Sequence, residues 1–215
     1  MDELTNPSIT GKKLELAGYN FVSFNEVMNP SQPSVSGDQL ATLFLLIDGS
    51  GSMGGFWPAL QATLKPILKE YREEGRSMIG LLFDHGIHHW NPTTDDLPGH
   101  PCGGTDIVTA FEETLTRIKD QHRRDPSQTQ FDIKFISDGA DGYRSGDALV
   151  RALTSVFESN LLPPTIEQIN CTTLAIGAGF PTNIAMLARE MIQRGSNECQ
   201  PVHIADDPTE VSSAM

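Results

Sequence analysis

The segment 41–53, ATLFLLIDGSGSM, decides how the rest of the chain is read. Its apolar run over 43–47 stops abruptly at Asp48. That length suits a strand buried on both faces. Ser50 and Ser52 follow, separated by single glycines that permit a tight turn with short side chains converging on one spot. One carboxylate and two hydroxyls make a small oxygen-rich nest, the ligand type that holds Mg2+ or Ca2+. A plainer reading is a buried strand running into a Gly/Ser turn. The segment alone leaves both open.

Working outward, further strands and helices alternate. Upstream, Leu14, Leu16, Tyr19, Phe21 and Phe24 give a broken apolar series consistent with one short strand or hairpin. Residues 29–39, NPSQPSVSGDQ, read as a linker. Downstream, Trp57, Leu60, Leu64, Leu68 and Tyr71 recur at helical spacing. Pro58 suits the helix start, whereas Pro66 predicts a kink. Residues 78–83, MIGLLF, form a second buried strand, with 87–90 returning at the sheet edge. Gly103, Gly104, Thr105 and Asp106 open a helix whose apolar face is Ile107, Phe111, Leu115 and Ile118. A strand over 131–136 ends at Ser137, Asp138 and Gly139; a helix follows over 146–158. A strand over 171–176, a helix over 182–193 and a short strand over 201–204 complete the pattern, and the last residues suit a short helix or a frayed end.

This alternation predicts an α/β sandwich around a mostly parallel sheet. In such sheets sites form at the carboxyl ends of strands, where strand order reverses. Asp48 and Asp138 fall at strand ends and Thr105 at a helix start, so the three can converge. The expected organisation is an N-terminal extension over 1–40, a domain over 41–206 and a tail over 207–215.

The 215 residues fit one domain of ordinary size. Hydrophobic residues make up 38%, enough for a core, and the mean hydropathy is −0.25. The acidic residues number 28 against 15 basic, a net charge of −13. That balance disfavours nucleic-acid and anionic-membrane surfaces. No signal peptide or membrane span is evident, and the wide spacing of Cys102, Cys171 and Cys199 gives no disulfide scaffold. A reducing, cytoplasmic location is expected.

The combination of Asp48, Gly49, Ser50, Gly51 and Ser52, then Gly104 and Thr105, then Ser137, Asp138 and Gly139 resembles the three-part metal-ion-dependent adhesion site of von Willebrand factor type A domains, in the form of intracellular members. The resemblance spans roughly 40–205. It implies a doubly wound three-layer sandwich with a six-stranded, mostly parallel sheet and one short antiparallel edge strand. It implies metal ligands at Asp48, Ser50, Ser52, Thr105 and Asp138, holding Mg2+, with Ca2+ or Mn2+ as substitutes. Ser50 and Ser52 would ligate directly, Thr105 directly or through water, and the two aspartates mostly through water. The implied function is a metal-dependent protein-protein interaction module whose cation recruits a Glu or Asp carboxylate from a partner. Neutral direct ligands leave such a cation electron-poor.

His85, His88, His89 and His100, with Cys102 nearby, could suggest zinc, but the spacing matches no closed pattern. Asp84, Asp95, Asp96, Asp106 and Asp141 are additional acids near the expected site. Phe56, Trp57 and Trp90 are candidate partner contacts, with Trp57 on the inward helix face. There is no phosphate-binding GxxxxGK[ST] and no GxSxG elbow. The chain is therefore expected not to be an enzyme. A metal-dependent hydrolase or phosphatase, and an interaction domain working without metal, are the alternatives.

Overall fold

The computed structural model describes residues 15–16, 19–20, 40–99, 101–177, 180–195, 202–205 and 207–213. The expected linker over 29–39, together with Leu14, Phe21, Phe24, His100 and Cys199, lies outside the described residues. Upstream, Glu15–Leu16 pairs antiparallel with Tyr19–Asn20 as a separate two-stranded ladder.

Elements are numbered here from Thr42. The strands are β1 (Thr42–Asp48), β2 (Met78–Phe83), β3 (Ile87–Trp90), β4 (Gln130–Ser137), β5 (Gln168–Ile176) and β6 (Val202–Ala205). The helices are α1 (Trp57–Glu73), α2 (Ile107–Arg124), α3 (Gly146–Ser159), α4 (Thr182–Ile192) and α5 (Pro208–Ser213). Strand order is β3-β2-β1-β4-β5-β6. All neighbours pair parallel except β3, which returns antiparallel on β2.

The expected doubly wound six-stranded sandwich is corrected in its winding. The wound part is an open sheet of five parallel strands, because β3 follows β2 after a short turn with no helix between them. The winding is also uneven. One face of the sheet packs against α2, α3 and α4, and the other against α1 and α5.

β1 lies at the centre, and all seven of its residues are buried. Its side chains alternate as the pleat requires. Phe44 and Leu46 enter the core beneath α2, α3 and α4, while Leu43, Leu45 and Ile47 meet α1. On the first face Phe83, Phe111, Phe135 and Phe157 form an aromatic chain, with Phe111 and Phe135 ring centroids 5.0 Å apart and Phe111 and Phe157 edge-on at 5.4 Å. On the second face α1 buries Leu60, Leu64, Leu68 and Tyr71, the stripe read from the sequence. α1 continues through Pro66 as one helix. Pro66 is solvent-exposed, so water can satisfy the carbonyl it leaves unbonded.

Candidate functional site at the carboxyl edge of the sheet

From β1 the chain crosses to β2 on one side, and the later strands β4, β5 and β6 build outward on the other. The carboxyl ends of β1 and β4 therefore flank the topological switch point, where connections diverge and leave a crevice. Asp48 is the last residue of β1, and Ile47 is level with Ile136 of β4. Asp48 thus meets Ser137, whose hydroxyl donates to Asp48 Oδ2 at 2.6 Å. The Ser50 N–H donates to Asp48 Oδ1 at 2.9 Å. Ser50 and Ser52 Oγ lie 3.0 Å apart, with Ser50 buried and Ser52 exposed.

The loop after β3 brings Thr105 to the same edge. Arg72 on α1 clamps it, donating from Nε to Pro92 O at 2.7 Å and from Nη1 to Asp96 Oδ1 at 3.1 Å. Trp57 Nε1 donates to Gly99 O at 3.0 Å. Further along, the Cys102 N–H donates to Gly49 O at 2.8 Å, and the Gly51 N–H to Gly103 O at 3.2 Å. Thr105 is buried, and its carbonyl accepts from the Gly142 N–H at 2.7 Å. Asp138 is half-buried, and its Oδ1 accepts from the Ala140 N–H at 3.1 Å. Three segments far apart in the chain, 48–52, Thr105 and Asp138, thus stand along one edge.

The electrostatics of that edge are set by burial. Desolvation pushes the Asp48 carboxyl up to about 6, against hydrogen bonds from Ser137 and Ser50 that pull it down. The nearby Asp138 charge pushes it up further. Both Asp48 oxygens are occupied by the chain's own donors, and burial favours the protonated form. Among the described residues no group of three or more His, Cys, Asp or Glu side chains is arranged to hold a metal ion. The expected Mg2+ site, with its Ca2+ and Mn2+ variants, is corrected accordingly. The metal-bridged acidic partner loses its basis with it.

The histidines also separate. His88 Nε2 lies 3.2 Å from buried Asp84 Oδ1 and His85 Nδ1 lies 3.4 Å from it. His89 turns to the other face of β3, with Nε2 3.1 Å from Arg117 Nη2 and 3.6 Å from Glu113. Partial burial, then the Arg117 charge, lowers its basicity.

Sequence reasoning missed two parts of the edge. Asp141 caps α2: its Oδ2 accepts from the Ile107 N–H at 3.1 Å and its Oδ1 from the Tyr143 and Arg144 N–H groups at 2.9 and 2.6 Å. Arg144 Nη1 donates to Asp106 Oδ1 at 3.3 Å. The Asp141–Ile107 and Arg144–Asp106 partners are more than 30 residues apart, so no local signal announces these two contacts. The second part is a cleft of about 570 Å³ between the 138–146 loop and the start of α4. Phe56, Leu149, Ile176, Pro181 and Ile184 line it, with Asp138, Asp141 and Arg144 at its polar side. Gly139, at φ 76°, makes the close approach possible, since a Cβ there would lie 2.3 Å from Pro181 Cδ.

No protein-family model matches this chain, and no curated protein does. Solved structures match in fold. Proximal thread matrix protein 1 from the mussel byssus is 14% identical, with a TM-score of 0.54 over 82% of this chain and 46% of its own. The pilus adhesin SpaC from Lactobacillus rhamnosus GG is 13% identical, with a TM-score of 0.53 over 85% of this chain and 29% of its own. A mutant of the PilB minor pilin from Streptococcus sanguinis is 12% identical, with a TM-score of 0.56 over 84% of this chain and 61% of its own. The chain thus spans less than two thirds of each. Likeness at this identity is one of fold alone.

These findings correct the remaining expectations. The resemblance to von Willebrand factor type A domains rested on motif residues, and neither a family model nor a curated relative supports it. The structural neighbours carry the names of a thread matrix protein, a pilus adhesin and a pilin, none of them an enzyme. Their names point to a byssus thread and to pili, so the expected cytoplasmic, intracellular location finds no support in them. Among the described residues no helix is long and apolar enough to cross a membrane.

Proposed function

We propose that the chain is a protein-interaction module that works without a metal ion and binds its partner at the carboxyl edge of the sheet. The observation that carries this is the cleft of about 570 Å³, lined on one side by apolar residues and on the other by Asp138, Asp141 and Arg144. Protein-binding and ligand sites of α/β sheets favour this edge, and apolar walls with a few oriented polar groups suit a bound side chain. Adhesive and assembly roles of the structural neighbours agree with it in kind. The proposed unit is 41–206, with 1–40 an extension and 207–215 a tail whose Val211 packs under α1. Asp48, Ser50, Ser52, Thr105 and Asp138 serve here as a hydrogen-bonded frame that shapes the edge.

The test is capture of proteins from native extract by the immobilised chain in chelator. The expected result is retention in chelator and loss with Asn183→Arg, which projects a long side chain over the cleft from an exposed position. Capture that requires added Mg2+, or that survives Asn183→Arg unchanged, would overturn the reading.

A further inference from the structure

We draw no further inference here: the strongest candidate, the cleft between the 138–146 loop and the start of α4, belongs to the site already described, and nothing in the structure shows what covers it.

Discussion

Ser137 holds two neighbours at once: its hydroxyl donates to Asp48 Oδ2 at 2.6 Å and accepts from the Gly139 N–H at 2.9 Å. Ser137→Ala leaves a buried carboxyl oxygen and a buried N–H without that partner. Stability in urea should fall by about 1–3 kcal/mol with an unchanged slope. A loss near zero would mean that water replaces the hydroxyl. Lys134 is the other decisive residue. It is fully buried in β4, and its Nζ donates to Thr172 Oγ1 at 3.2 Å. Burial pulls its ammonium down to about 8, although Asp132 pulls it up. The unfolded chain keeps this proton to about 10.5, so between those values the unfolded state binds more protons. This group therefore costs stability below pH 8 and the cost is relieved as pH rises. Above about pH 9 the Cys171 thiol, pushed up to about 12 by burial, works the other way. The clean window is pH 8 to 9, where the wild type should gain roughly 1 kcal/mol. Lys134→Met should be flat across that window and more stable at pH 7, by up to about 3 kcal/mol. Urea titrations at each pH check the sign.

At the scale of elements, most of what the sequence offered was periodicity. The run over 43–47 could only be a doubly buried strand, and the stripe from Trp57 to Tyr71 could only be one helical face. Gly80 shows where periodicity stops. In MIGLLF it is merely a glycine within a strand. Paired in register with Trp90, it is the floor on which that ring lies, since a Cβ at 80 would sit 2.2 Å from Trp90 Cε3. Trp90 was a candidate partner contact by sequence, yet it packs against this strand and donates from Nε1 to Asp95 O at 3.2 Å. Gly80→Ala should expel the ring, cost about 1–3 kcal/mol and loosen the turn that follows β3. In a Trp57→Phe background the emission should move to the red. Unchanged emission would show that the strand yields instead.

At the scale of the molecule, the corrected metal reading has a direct thermal test. A cation bound only by the folded state at a hundredfold excess over its Kd adds about 2.7 kcal/mol. For a chain of this size that raises Tm by about 5 °C or more. The expected difference between chelator and excess Mg2+ is below about 2 °C. A rise above about 5 °C would restore the cation. The strand ends, the helix starts and the order of Asp48, Thr105 and Asp138 were legible because each depends on local pattern, and the crevice they border follows from α/β winding. What those side chains do at the crevice was not legible. Asp48 is committed to Ser50 and Ser137, Asp141 to the N-terminus of α2 and Arg144 to Asp106. Sequence by itself determined which residues reach the carboxyl edge, because backbone periodicity and turn chemistry act over a few neighbours. Only the tertiary structure decided which of them are occupied and which face an open cleft, because hydrogen bonds and desolvation there join groups 30 to 90 residues apart.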